Sequence, residues 1–316
     1  MKRRAMLTCL VAAGLTAAAT SGHASAALTR LPRIVVLDWS LTELLLSTGI
    51  VPVGMANSAG FRRAYTACDL PENVVDLGLM FQPNLELLLA LKPDLIIVTP
   101  AHAALHASLE RIAPTATFGQ FRSSPTPYSA AKNETLALGR LFGREPAAVA
   151  AIAAADAALM RARSSIAAMP GVKNRPMYLT RFIDESYLRV YGSHSFYGEL
   201  LSLLGLDNAW RDRSGAAAFS TRRFEDLNAV GASTLIYLKP LAPPAAAMMK
   251  TSPLWRAMPF AKQGGMLALP FIPPDGGTLS ATYFATALTE VLTQTLTQTL
   301  TQTPAGPAVT ASRQRT

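Results

Sequence analysis

Short β-branched runs alternate with leucine-rich helical runs over the first third of the chain. Arg33-Ile34-Val35-Val36-Leu37 is apolar after its first residue and predicts a buried strand. Leucines at 41, 44, 45 and 46 predict a helix over Leu41 to Thr48, ending near Gly49. Ile50 to Met55 reads as a second strand, with Pro52 near its start, where a missing N–H is tolerated. Asn73 to Leu77 predicts a third strand, Asn84 to Leu91 a helix closed by Pro93, and Asp94 to Val98 a fourth strand. This alternation at short intervals is the pattern of a parallel or mostly parallel α/β sheet.

Two helices without an intervening strand follow. Tyr128 to Leu141 is the first. Glu145 to Met169 is the second, alanine-rich and free of glycine and proline between Pro146 and Pro170. At 1.5 Å per residue it would run on the order of 35 Å, and it sits halfway along, as a strut between two lobes would. One long helix inside a single domain is the alternative. The α/β rhythm then returns. Strands are expected at Pro176–Thr180, Leu188–Tyr191 and Thr234–Leu238, with a short extended segment at Met266–Leu269. Helices are expected at Phe196–Leu204 (closed by Gly205), Phe224–Val230 and Thr278–Val291. Residues 292–303 repeat Leu-Thr-Gln-Thr and 304–316 are small and polar, so a low-complexity, disordered tail is expected from about residue 296.

The N-terminus changes the picture of where this chain works. Lys2-Arg3-Arg4, an apolar run from Met6 to Ala19 and the triplet Ala24-Ser25-Ala26 have the order of a secretory signal peptide over residues 1–26, cleaved after Ala26. The apolar run is short for a membrane anchor, the competing reading, which takes roughly 20 residues. Removing the leader takes Cys9 with it and leaves Cys68 alone, so no internal disulfide can form. About 290 residues remain, enough for two domains or one large one. The formal net charge is +9; three positives and no acid leave with the leader. The remaining cations form no Lys/Arg block, which argues against nucleic acid and suits a positive surface facing an anionic ligand.

No phosphate loop, dinucleotide fingerprint, nucleophile elbow or H-E-x-x-H is present. Asp275-Gly276-Gly277 reads as a turn before the last helix. His102 and His106 stand four apart, as two metal ligands on one helix face would, with only His194 left as a third; pocket-edge or surface histidines are the other reading.

Several collinear segments carry a resemblance. VVLDWSLTELLLSTGIVPVGMA (35–56), LPENVVDLGLMFQPNLELLLALKPDLIIV (70–98) and LERIAPT (109–115) resemble the N-terminal lobe of the periplasmic iron-siderophore binding proteins of ABC importers. VYGSHSFYGELLSLLGLDNAW (190–210), TSPLWRAMPFAKQGGMLALP (251–270) and GGTLSATYF (276–284) resemble the second lobe. The resemblance implies two α/β lobes joined by a single long helix: an N-terminal lobe over 32–143, a connecting helix over 144–170 and a C-terminal lobe over 171–295. It implies a ligand carrier of the periplasm, monomeric and without a catalytic step. Such a carrier holds a ferric siderophore between its lobes and docks onto a permease of the inner membrane. Iron would arrive wrapped in its chelator, so neither a cofactor nor a protein ligand to the metal is expected. Loops beyond the carboxyl ends of the strands should build the site.

The resemblance also brings departures. The hydroxamate binders' arginine after D-x-G-L is replaced by Met80, and a tyrosine after the fourth strand by His102. A tryptophan falls at Ala217 or beside it, and an aromatic group before G-x-T-L-S gives way to Pro273-Pro274-Asp275. The ligand is therefore expected to differ, with mixed hydroxamate–hydroxycarboxylate chelates among the candidates. Arg62 and Arg63 are candidate donors to anionic oxygens, or solvated surface charges. Trp39 and Phe61 offer flat apolar contact, or belong to the core, as Trp210 is expected to. Arg181 and Phe219 lie on loops at the strand ends, and Asp275 suits a cationic or hydroxyl-bearing ligand arm. Glu110 in the first lobe and Glu199 or Glu225 in the second are candidates for docking the permease, against a role in surface solubility. A haem or cobalamin carrier, with His102 or Tyr191 as an axial ligand, and a secreted enzyme on the same scaffold are the alternatives.

Overall fold

The apolar run at 33–37 becomes strand β1 (Ile34–Val36), buried at every position. The computed structural model describes residues 32–211, 218–229, 231–262 and 264–302. The expected leader, Ala217 and the chain beyond 302 lie outside the described residues. Around β1 stand β2 (Gly54–Met55), β3 (Val75–Asp76), β4 (Leu95–Val98) and β5 (Thr115–Thr117), in the order β3-β2-β1-β4-β5, with every pair parallel. Ile34, Val36 and Ile97 face helices α1 (Trp39–Ser47) and α5 (Pro127–Leu141) through Leu41, Leu44, Leu45 and Leu138. Val35, Leu37, Ile96 and Val98 face the other way, onto Leu88 of α3 (Leu85–Ala90) and Leu109 of α4 (His106–Glu110). Helices on both faces explain the uninterrupted apolar strands. A short helix that the sequence pattern did not predict, α2 (Ser58–Ala64), follows β2.

The second sheet has the order β8-β7-β6-β9-β10, from β6 (Met177–Phe182), β7 (Tyr187–Tyr191), β8 (Phe219–Arg223), β9 (Thr234–Leu238) and β10 (Met266–Leu269). Strands β6, β9 and β10 are parallel, while β7 and β8 join as antiparallel edge strands. Arg181 and Phe219, expected on loops, therefore lie in strands β6 and β8, and residues 219–223 extend the sheet.

The long helix is α6 (Glu145–Ala167), ending two residues before the predicted limit. Its buried alanines, Ala148, Ala155, Ala158 and Ala162, give it a slim inner face. A Cβ on Gly139 of α5 would stand 2.7 Å from the Ala148 Cβ, so the two helices cross at a glycine. The expectation for the tail needs correction. After α7 (Phe196–Leu203) and the short helices α8 (Pro243–Thr251), α9 (Pro253–Ala257) and α10 (Pro259–Lys262), helix α11 runs over Thr278–Gln302, through the first part of the segment expected to be disordered. Leu292 is buried and Leu296 packs against the second-lobe core. Thr289, Thr293, Thr295 and Thr297 each satisfy their hydroxyl on the carbonyl four residues earlier. Among the described residues no helix is long and apolar enough to cross a membrane.

Candidate ligand-binding cleft

The loops at the carboxyl ends of the two sheets meet at Asp38, Arg122 and Asp275. Asp38 caps α1, with Oδ1 accepting from the backbone N–H groups of Ser40 (2.9 Å) and Leu41 (3.3 Å), and Oδ2 accepting from Arg122 (3.1 Å). The other guanidinium nitrogen of Arg122 reaches Asp275 of the second lobe at 2.9 Å. Glu134 of α5 holds the loop that carries Arg122, accepting from Gly119 N at 2.5 Å and Phe121 N at 3.1 Å. Gly119 has φ 91°, a left-handed value that favours glycine. Burial alone would depress the Arg122 pKa, but Asp275 and Asp38 outweigh it and raise it. The Asp275 carboxyl is pushed up by burial and by Asp38, with Arg122 opposing. Beside this group opens a cavity of about 530 Å³ lined by Thr99, Pro100, Gly119, Arg122 and Ser123.

A second link between the lobes lies deeper. Glu43 of α1 is fully buried and accepts from Ser280 N at 2.7 Å and Ser280 Oγ at 2.8 Å, in the first turn of α11. Burial pushes its pKa up to about 7, against the lowering effect of the backbone N–H groups of Ser280 and Gly277. Its counterpart is Glu199 on α7 (Phe196–Leu203), which accepts from Tyr128 N at 2.7 Å, Ser129 N at 3.1 Å and Ser129 Oγ at 2.6 Å, at the start of α5. Glu199 is 8 % exposed and cannot meet a permease; its place among the docking candidates is corrected to that of a buried helix clamp. Glu110 remains exposed, beside His106, and Glu225 pairs with Arg223 at 3.3 Å.

The aromatic candidates divide. Phe61 is fully buried and stacks on Tyr65 at 4.5 Å, so its expected ligand contact is corrected to a core role. Trp39 is half-buried, donates from Nε1 to the Ala56 carbonyl at 3.0 Å, and sets its ring edge-on to both Phe61 and Tyr65. Arg62 is tied down within its own lobe, donating to Ser58 Oγ at 3.2 Å and to the Pro71 carbonyl at 2.8 Å. Arg63 is exposed. Met80 is half-buried, packed beside the core of the first lobe, and Pro273 is buried.

His102 is 2 % exposed. Its Nδ1 lies 2.9 Å from Thr99 Oγ1, its Nε2 is buried without a partner, and Phe81 stacks on it at 5.0 Å. His106 instead engages Thr115 and Glu110, so the two histidines do not share a ligand. Tyr191, the other candidate axial ligand, has its hydroxyl buried beside the Arg189 guanidinium. Among the described residues no group of three His, Cys, Asp or Glu could hold a metal ion.

In the second lobe, Arg181 and Arg189 stand directly opposite each other on β6 and β7. The Arg181 guanidinium lies 4.6 Å from the Phe271 ring centre, and that of Arg189 lies 4.5 Å from Phe219. Arg189, Phe271, Arg122 and Phe81 were not singled out from the sequence. Arg189 and Phe271 sit two residues from Tyr191 and Leu269, inside or next to apolar strand runs, where register alone decides which side chains reach the cleft.

The family profile of periplasmic binding proteins matches residues 34–273. The iron(3+)-hydroxamate-binding protein FhuD of Escherichia coli (strain K12) is 32 % identical over 287 residues, 90 % of this chain and 94 % of that protein. The Fe(3+)-citrate-binding protein YfmC of Bacillus subtilis is 24 % identical over 73 % of this chain and 71 % of its own length. The crystal structure of the siderophore-binding protein FhuD from Vibrio cholerae, with Fe3+–Desferal bound, superposes with a TM-score of 0.78 at 30 % identity, covering 83 % of this chain and 98 % of that one. The chain belongs to the periplasmic binding protein family, in its form with two α/β lobes joined by a long helix.

Proposed function

We propose that this protein captures a ferric siderophore between its lobes in the periplasm and delivers it to an inner-membrane ABC importer. The observation that carries this reading is the match through both lobes to a protein solved with Fe3+–Desferal bound. The cleft supports it: arginines and aromatic rings line the strand ends, as suits a chelate with anionic oxygens and flat apolar faces. The basic-apolar-small order of residues 1–26 supports export through a cleaved leader. The test is a titration of Trp fluorescence in the protein from residue 27 onward, with ferric and iron-free chelators in parallel. Trp39, beside the cleft and half-buried, is the reporter. Saturable quenching by a ferric chelate alone is expected; equal responses to both forms, or to neither, would refute the carrier reading.

Glu110 and Glu225 are proposed to dock the two lobes onto basic residues of the permease. Reversing both charges (Glu110→Arg with Glu225→Arg) is expected to cut transporter-dependent iron uptake by about tenfold, because complementary rim charges govern encounter. Chelate affinity in solution should not move. Unchanged uptake would remove both residues from the interface.

A further inference from the structure

Two like charges face each other across the β6–β7 ladder in a position that folding does not favour. Arg181 and Arg189 are a directly opposed cross-strand pair, and like charges so placed are destabilising. Among the described residues neither makes an ion pair with an acid. The nearby carboxylate, Asp275, is engaged by Arg122 at 2.9 Å. Each guanidinium is instead laid on a ring, Phe271 for Arg181 and Phe219 for Arg189. Stacking on rings fixes the plane of a guanidinium and leaves its N–H edges available for bidentate bonding. Two residues along β7 from Arg189, the Tyr191 hydroxyl is buried, beside the Arg189 guanidinium and inside the field of both cations. Burial raises its pKa, so it keeps its proton and is a donor.

Resting on the carrier reading above, we infer that this Arg181–Arg189–Tyr191 group is a carboxylate clamp, and that the natural ligand is a net-anionic ferric chelate bearing free or iron-bound carboxylates. A ferric tris-hydroxamate has no net charge at its iron core and presents no carboxylate. Its iron-bound oxygens can accept from a guanidinium, but it brings no net negative charge to offset two of them. A chelate built on a hydroxycarboxylate supplies the acceptor pairs that planar guanidinium forks match. It also removes the repulsion between the two arginines, so ligand binding and relief of strain act together.

The experiment compares three probes by fluorescence titration at two salt concentrations: ferric desferrioxamine, ferric citrate, and a ferric citrate–dihydroxamate chelate. The wild type is expected to prefer the citrate–dihydroxamate chelate over ferric desferrioxamine by about a hundredfold, with that preference shrinking in salt. Arg181→Gln and Arg189→Gln should each reduce affinity for the carboxylate chelate by about tenfold to a hundredfold, as loss of a charge-assisted pair does. That loss should exceed the loss for ferric desferrioxamine by at least about tenfold. Arg→Lys at either site should restore only part of it, because an ammonium lacks the fork. The melting temperature of the unliganded Gln variants should hold or rise, since a like-charge pair is relieved; a fall would mark the arginines as structural. Equal losses for all probes, or a wild-type preference for ferric desferrioxamine, would overturn the clamp while leaving the carrier reading intact. Failure of every ferric probe to bind would overturn both.

Discussion

Glu43→Ala is expected to lower the unfolding free energy by about 2–4 kcal/mol at pH 5, and Glu43→Gln to leave it within about 1 kcal/mol. The Ala variant strands the buried Ser280 N–H and leaves a hole between α1 and the first turn of α11. The Gln variant keeps an acceptor for Ser280 N and turns the second contact round, with its amide donating to Ser280 Oγ. The pH dependence follows from burial, which lifts the Glu43 pKa from 4.5 to about 7. Between those values the native protein holds a proton that the unfolded chain has released. The stabilisation is therefore fully present below about pH 4.5, declines as pH rises, and is lost above about 7, on the order of 3 kcal/mol in all. Asp275 is raised as well and bends the wild-type curve the same way, so the quantity to read is the difference between wild type and Glu43→Gln. Urea unfolding of both at pH 5 and pH 8 gives it. The Gln variant should match the wild type at pH 5 and overtake it at pH 8; parallel curves would mean that Glu43 titrates as an ordinary carboxylate. Backbone geometry adds to the constraint here, since a Cβ on Gly276 would lie 2.9 Å from Glu43 Oε2 and one on Gly277 2.4 Å from Leu44 Cδ2.

The elements that were legible in the sequence are those whose signal is local. β1, β4, α1 and α6 follow from apolar runs and periodicity alone, and the fold class follows from their alternation. What escaped depends on partners far along the chain. Glu199 looks like any solvated acid on an amphipathic helix, and its burial is decided by Tyr128 and Ser129, some 70 positions away. Phe61, Arg62 and Arg63 are consecutive in sequence, yet α2 turns the first into the core, holds the second against Pro71 and leaves the third exposed. Composition hides the helix that runs through the start of the tail to Gln302, although leucines at 292 and 296 stand one helical turn apart. The cleft candidates are read from one loop at a time, whereas the cross-strand pairing of Arg181 with Arg189 needs the antiparallel register of β7, which no local pattern announces.

The second large effect is expected at Gly198. Ser195 caps α7, its Oγ accepting from Gly198 N at 3.0 Å and donating to the Gly192 carbonyl at 2.6 Å. This tight turn brings the backbone of residues 192–193 against the first turn of the helix. A Cβ at 198 would stand 2.2 Å from the Gly192 oxygen and 2.8 Å from Ser193 Cα. Both are backbone atoms, and no rotamer relieves the overlap. Gly198→Ala must therefore lift the start of α7, and three things ride on that turn: the cap itself, the Tyr197 hydroxyl bond to the Ile272 carbonyl, and the Glu199 clamp on α5. A loss of about 3–5 kcal/mol is expected, above the usual range for one added methyl because hydrogen bonds break with the packing. Gly143→Ala is the control. Gly143 has φ +65° with nothing within 4 Å of a Cβ, so only the left-handed strain remains, roughly 1–2 kcal/mol. Thermal and urea unfolding of the two variants separate close approach from backbone conformation. If Gly198→Ala cost no more than Gly143→Ala, the turn at 192–195 would be soft, and α7 could not be what fixes Glu199 against α5.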